Sequence, residues 1–426
     1  MKRILIVGQG GREHALAWRL QEVAKVWVTP GNGGISLEVP TLDVSITDFA
    51  GVLALVREYQ IDLVIIGPEA PLEGGIVDYL RANGVTVFGP NKWCAQLESS
   101  KAFAKEIMHN ANTPTPLAKV VNSKEEALAL LTPNQIFPVV LKADSLAAGK
   151  GVVVCSTFVE INQALDFLFG ELQVKRLLIE EFITGREVSY IVAVNGGKVL
   201  PLATSHDYKR LNDGDLGPNT GGMGTVSPTP RLSLAQEKEV LNNIILPVLS
   251  EMVKVGEHYN GFLYAGLMVS DDGSIRVIEF NARLGDPESQ VIMLRLERES
   301  LPAFIDFMAD SSTENRESLG YAVSHELLKW SEVVAICVVL ASSGYPSRVI
   351  TGSTIKGIKD VEGDKVKVFH CATKVLADGN FVANGGRVLN VTATGRTIQE
   401  ARGYAYEAIK DIDFPAAHYR YDIGRS

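Results

Sequence analysis

At 426 residues the chain has room for about three domains, each able to bury its own core. Hydrophobic residues at 46% and charged residues at 21% exclude a disordered chain, and a net charge of −9 leaves no general basic field for a nucleic-acid backbone, so phosphate groups must be caught locally. The four cysteines lie far apart with no C-x-x-C pair, no secretory leader precedes the first strand, and no long uncharged apolar run occurs; zinc, a disulfide framework and a membrane span are set aside in favour of a reduced, cytoplasmic setting.

Residues 3–7 form a short β-rich run ending in Gly8-Gln9-Gly10-Gly11, and residues 13–20 then read as a helix. Strand signals recur at 26–29, 63–66 and 86–88, separated by helical stretches at 49–59 and 74–82. This alternation predicts a doubly wound parallel α/β domain over 1–100. A central α+β domain is expected over 101–325. Its strands at 118–121, 139–142, 152–155 and 177–181 and helices at 123–131 and 157–168 suggest a mobile lobe over about 115–187. Two hairpins follow, turning at Asn195-Gly196-Gly197 and at Asp272-Gly273. Between them residues 205–230, rich in Gly, Asn, Thr and Pro, read as a long irregular loop lining an active site. A polar break at 310–317 leads to a small α+β domain over 326–426, with strands near 333–340 and 387–393 and a helix at 398–410.

Gly8-x-Gly10 invites a dinucleotide reading, but Glu13 stands at the third glycine position and would repel a pyrophosphate. The turn can hold a single phosphate or be purely structural. Asn32 and Gly67-Pro68-Glu69 lie at neighbouring strand ends, and Glu13 and Glu69 would suit a substrate bearing an amine or hydroxyls. Ala147-Ala148-Gly149-Lys150-Gly151 is not a Walker A loop, because Asp144 occupies the first Gly position and Gly151 follows the lysine. Joining two strands, it reads as a hairpin flap over phosphates, with Lys142 aimed at an α- or β-phosphate. Glu180-Glu181-Phe182 and Glu187 offer carboxylates for an adenine amino group and ribose hydroxyls. In Glu279-Phe280-Asn281 the outer pair shares one strand face, with Ile278 and Phe280 expected on the other. A carboxylate and an amide oxygen are the hard ligands that magnesium takes beside ATP phosphates. Arg283, Asp286 and Glu288 add a cation for developing negative charge and acids for an amine.

Taken together, Gly10-Gly11-Arg12-Glu13-His14, Pro30-Gly31-Asn32, Gly67-Pro68-Glu69-Ala70-Pro71-Leu72, Leu146 through Gly151, Gly217 through Gly224, Glu279-Phe280-Asn281 through Glu288, and Asn384 through Leu389 closely resemble the glycinamide ribonucleotide synthetases, an ATP-grasp family, across essentially the whole chain. The resemblance implies that ATP, glycine and 5-phosphoribosylamine become ADP, phosphate and glycinamide ribonucleotide, with Mg2+ or Mn2+, in a monomer. It further implies that Lys101 and Lys142 bind ATP phosphates, that residues 180–187 bind the nucleoside, and that Glu279 and Asn281 bind the metal. Asp207, Lys209, Asn219, Thr220, Gly221, Gly222 and Arg283 would line the glycine and phosphoryl-transfer region, and the Gly10–His14 turn would hold phosphoribosylamine. Two positions depart from the family pattern: Ser145 stands at a usual flap glycine, and Arg186 where an acid is common. Because a carboxylate is a poor electrophile, attack of glycine on the γ-phosphate to give an acyl phosphate is the expected first step.

Overall fold

Strands that are apolar on both faces need cover on both faces, and the first sheet shows this directly. In the computed structural model, which describes residues 1–131, 137–146, 151–311, 320–415 and 417–425, the strands Lys25–Pro30, Arg3–Gly8, Leu63–Ile66 and Val87–Phe88 lie in that order, all parallel. Alternation along each strand divides the side chains between two cores. Leu5, Val7, Val64 and Ile66 pack under Val52, Val56, Ile76 and Leu80 from the helices Phe49–Glu58 and Ile76–Ala82. Ile4, Ile6, Val28 and Ile65 pack with the helix Gly11–Leu20 and with Phe262, Phe304 and Ile191 of the central domain. The helix expected over 74–82 runs over Ile76–Ala82, because Gly75 turns left-handed at φ 91° and separates it from a further helix, Glu69–Gly74, before it.

The central domain carries a five-stranded sheet ordered Ile275–Asn281, Asn260–Val269, Arg186–Asn195, Lys198–Pro201, Ala322–Val323. A separate antiparallel sheet, ordered Ala118–Val121, Leu177–Glu181, Val139–Ala143, Val152–Cys155, closes its own core with Ile161, Leu165 and Leu168.

The stretch 205–230 departs from its expected irregularity. His206–Asp207 and Gly224–Ser227 are strands, and Gly224–Ser227 pairs with Val334–Ala341, so this segment completes the sheet of the C-terminal domain. The residues Gly224–Ser227 are all buried, and Thr225 and Val226 are β-branched, which is what a central strand position selects. Helix Ile398–Asp411 covers that sheet through Ala401, Ala405, Ala408 and Ile409. Among the described residues no helix is long and apolar enough to cross a membrane.

Candidate active site

The chemistry-bearing strand is Ile275–Asn281, and its geometry depends on a slipped register. Leu267 pairs with Val277 but Gly266 pairs with Glu279, leaving Ile278 as the extra residue of a bulge. Val277 and Phe280, three apart, both enter the core. Ile278 therefore does not join Phe280 in that core as expected; both border the cleft, and the Ile278 carbonyl accepts from Lys142 Nζ at 3.2 Å. Beyond the bulge the regular pairing of Glu279 with Gly266 and Asn281 with Tyr264 keeps those two residues on one face. Gly266 leaves room for this arrangement, since a Cβ there would lie 3.2 Å from Glu279 Cγ.

Lys101, Lys105, Lys142, Glu180 and Glu279 meet around this cleft, beside Leu97, Glu98 and Met108. Lys142 is 4% exposed and 2.5 Å from Glu180 Oε1, while Lys105 lies 2.8 Å from Glu180 Oε2. Lys209 Nζ is 3.1 Å from Glu187 Oε2 and 3.5 Å from Glu279 Oε1. Burial pushes the Glu279 carboxyl up, yet Lys209, Lys101, Lys142 and Arg283 together hold it down at about 2. Asp207 has the opposite balance. Burial pushes it up to about 8 against the pull of Lys209, and the neighbouring carboxylates of Glu288, Glu187 and Glu279 add to the rise. Glu288 is buried and accepts from Ser189 Oγ at 3.0 Å. A larger hollow of ≈ 760 Å³, between helix Lys101–Asn110 and residues 113–120, is lined by neither Lys142 nor Glu279.

Arg283 follows the strand directly. Its guanidinium reaches Glu98 Oε1 at 2.9 Å, Asn281 Oδ1 at 3.3 Å and Glu69 Oε2 at 3.5 Å, and Glu98 also accepts the Ala282 N–H at 2.8 Å. The Arg283 bridge to Glu69 brings the Pro68-Glu69 turn of the first domain to the end of the strand.

At the first-domain turn most expected ligand groups face inward. Glu13, 1% exposed, accepts from Gly10 N–H at 2.6 Å and Arg12 Nε at 2.5 Å, so it caps its own helix. It fills the space at the switch point between the first and third strands, where a Cβ on Gly67 would lie 2.0 Å from its Oε1. Asn32 Nδ2 donates to the carbonyls of Gln9 and His370 at 2.7 and 2.8 Å, and its Oδ1 accepts from Gly34 and Ile35. His14 Nδ1 accepts the His370 N–H at 2.8 Å, and its Nε2 lies 3.2 Å from Glu38. Gly11 sits where a Cβ would meet Asn390 Nδ2 at 2.5 Å and Gln290 Nε2 at 2.6 Å, so the turn, helix 288–295 and the C-terminal sheet converge there.

The loop after Asn219, which pairs with Arg210, is tied on both sides. Thr220 donates its N–H and hydroxyl to Lys209 O, each at 2.8 Å, and its Oγ1 accepts the Gly222 N–H at 3.0 Å. Arg387 donates to the carbonyls of Gly221 and Asp286 at 2.6 Å each. Burial pushes the Asp286 carboxyl up, but Arg387 and Arg12 hold it below its ordinary value.

Sequence profiles of the phosphoribosylglycinamide synthetases match the chain in three consecutive pieces: the N domain at residues 2–98, the ATP-grasp (A) domain at 99–289 and the C domain at 335–426. The phosphoribosylamine-glycine ligase of Yersinia pestis is 44% identical over 432 aligned positions, covering 99% of this chain and 98% of the relative. The chain belongs to the phosphoribosylglycinamide synthetase family. The ligase of the same name from Escherichia coli (strain K12) is 43% identical with 99% and 98% covered. The crystal structure of the Thermotoga maritima phosphoribosylamine-glycine ligase superposes with a TM-score of 0.81 at 34% identity, covering 99% of this chain and 100% of that one. A biotin carboxylase domain from Hydrogenobacter thermophilus, at 15% identity and a TM-score of 0.71, shares the fold alone. The family and fold class expected from the motifs are those found.

Within this synthetase family framework the cleft gathers Lys101, Lys142, Lys209, Glu180, Glu187 and Glu279. The Glu180-Glu181 pair divides. Alternation on the strand turns Glu180 into the cleft and Glu181 outward, where Arg276 lies 3.4 Å away, and Phe182 is 37% exposed. Gly151 is buried and its carbonyl accepts the Ala143 N–H at 2.7 Å, whereas Gly149 and Lys150 lie outside the described residues. For a metal, Glu279 and Asn281 provide two hard oxygens. Among the described residues no cluster of three or more His, Cys, Asp or Glu is arranged to hold an ion. A two-oxygen set suits magnesium or manganese, which keeps waters and takes phosphate oxygens for the rest.

Sequence reasoning missed Glu98, Lys105, Asp144 and Arg387. Lys105 follows Lys101 by four on helix Lys101–Asn110, a signal legible in the sequence, whereas Glu98 sits on the separate helix Gln96–Ser99, beyond the extended Ser100. In the sequence Asp144 stands at the first Walker position and opens the flap pattern, with no role of its own. It accepts from Ser100 Oγ and Ala102 N–H at 3.0 Å each, fixing the start of the helix that carries Lys101. No sequence signal shows that Arg387 reaches across to Gly221.

Proposed function

We propose that the chain joins glycine to 5-phosphoribosylamine at the expense of ATP, giving glycinamide ribonucleotide, ADP and phosphate through a glycyl phosphate. The observation that carries this reading is the gathering of Lys101, Lys142 and Lys209 around Glu279 at one cleft, with Arg283 against the neighbouring Asn281. Such a basin matches the charge of a polyphosphate and of a transferring phosphoryl group. Lys101 and Lys142 bind the ATP phosphates, Glu180, Glu187 and the Gly149-Lys150-Gly151 flap bound the nucleotide, and Glu279 with Asn281 holds Mg2+ or Mn2+. When bound, the ion offsets phosphate charge and orients the γ-phosphate. Arg283 and Lys209 hold the glycine carboxylate and the transferred group. Asp207, with its raised affinity for a proton, is suited to accept one from the attacking amine. The crevice formed by Gly10, Gly11, Pro68, Glu69, Asn219, Thr220, Gly221, Gly222, Asp286 and Glu288 receives phosphoribosylamine. In that crevice Glu13, His14 and Asn32 act by shaping the backbone.

A monomer in the cytoplasm belongs to the same reading, and the four cysteines are free and buried, which suits a reduced compartment. ADP release requiring both glycine and freshly made phosphoribosylamine, with 18O from labelled glycine carboxylate appearing in phosphate, is the expected result. ADP release driven by bicarbonate in place of glycine, or unlabelled phosphate, overturns the reading.

A further inference from the structure

The carboxylates that the reading above gives to nucleotide and metal already have a cation between them. Lys209 Nζ stands 3.1 Å from Glu187 Oε2 and 3.5 Å from Glu279 Oε1. Its backbone is anchored, because the Lys209 carbonyl accepts both the N–H and the hydroxyl of Thr220. Of the other cations near Glu279, Lys142 is bound to Glu180 and Arg283 to Glu98 and Glu69, and Lys101 acts on the carboxylate from across the cleft, whereas Lys209 is in ion-pair contact with it.

We propose that Lys209 is a resident counter-cation for the Glu187 and Glu279 carboxylates, so that a divalent ion enters only together with nucleotide phosphates, which take up the displaced ammonium. This role rests on Glu279 and Asn281 being the metal ligands. Those two oxygens leave most of the coordination to phosphate and water, so an ion arriving alone gains little there while meeting a fixed positive charge in a partly buried cleft. Nucleotide reverses the balance, since its phosphates add enough negative charge for both cations. The two flanking carboxylates, at 3.1 and 3.5 Å, hold the ammonium in place in the meantime.

The test measures Mn2+ binding to the full chain without nucleotide, from the electron paramagnetic resonance signal of free Mn2+. Lys209→Met is expected to bind the ion roughly tenfold or more tightly than wild type, because the competing charge is gone. Lys209→Arg keeps the charge and should match wild type, and Lys209→Gln replaces the Met variant if circular dichroism shows that one unfolded. The gain should vanish in Lys209→Met/Glu279→Gln. Unchanged Mn2+ affinity in Lys209→Met overturns the counter-cation while leaving the metal site standing, provided Glu279→Gln still weakens Mn2+ binding in the presence of ATP. A gain that survives Glu279→Gln places the ion elsewhere and removes both readings.

Discussion

Glu13 and Glu279 are both glutamates beside a glycine-dependent close approach and a cation, yet they do different things. Glu13 has local partners, the Arg12 side chain and the Gly10 N–H of its own helix start, and it is sealed at 1% exposure. Glu279 is half-buried and draws its cations from three separate segments, at Lys101, Lys142 and Lys209. A carboxylate satisfied by its sequence neighbours is closed to exchange. One satisfied by side chains from different elements around a cleft can trade those partners for ligand charge. The difference separates a residue that shapes a turn from one that works in the reaction.

Glu279→Gln sharpens the contrast most. It keeps size and hydrogen bonding but loses the charge facing the metal, so glycine-dependent ADP release should fall on the order of a hundredfold or more. The melting temperature should stay near wild type. Near wild-type turnover with unchanged magnesium dependence would remove Glu279 from the site.

Glu13→Gln should show the reverse pattern. Leaving the buried Arg12 guanidinium without its carboxylate costs about 2 kcal/mol, or roughly 4–8 °C in melting temperature, with a smaller effect on turnover per folded molecule than Glu279→Gln. A variant that melts like wild type but loses turnover a hundredfold would move Glu13 into the reaction.

The smallest expected effect is an acid-sensitive tie between the first and last domains. Burial pushes the Glu38 carboxyl up, but His14 and Lys367 bring it down from 4.5 to about 2. A carboxyl depressed in the folded state stabilises the fold above its unfolded value, and that contribution is lost as pH falls from 4.5 toward about 2. With Glu38 partly exposed, the loss is at most about 2 kcal/mol. Urea midpoints measured across that window should decline more steeply for wild type than for Glu38→Gln; parallel curves would show that the tie contributes nothing.

Much of this was legible in the chain. The strands of the first sheet, both hairpins and the i, i+2 pair at Glu279 and Asn281 follow from local pattern, since apolar alternation and turn glycines act over a few residues. The ordered motifs carried the family. Beyond that reach lay the bulge at Ile278, because its extra residue is defined only by pairing with Gly266 and Leu267 on another strand. The strands within 205–230 were equally hidden, since Gly224–Ser227 is ordered by Val334–Ala341, more than a hundred residues away in sequence.

By itself, then, the sequence determined the chemical inventory and the period of each element: which carboxylates, lysines and glycines exist, and which neighbours share a strand face or a helix turn. Tertiary structure alone decided which charges meet. Glu180 faces Lys105 and Lys142 while Glu181 faces Arg276; Glu13 turns inward and Glu279 opens to a cleft; Lys209 lies against Glu187 and Glu279. The physical reason is one of range. Propensity and periodicity act over one or two turns of chain, whereas electrostatic partnership depends on distance in space and on burial, which are set only when sheets from distant segments pack together.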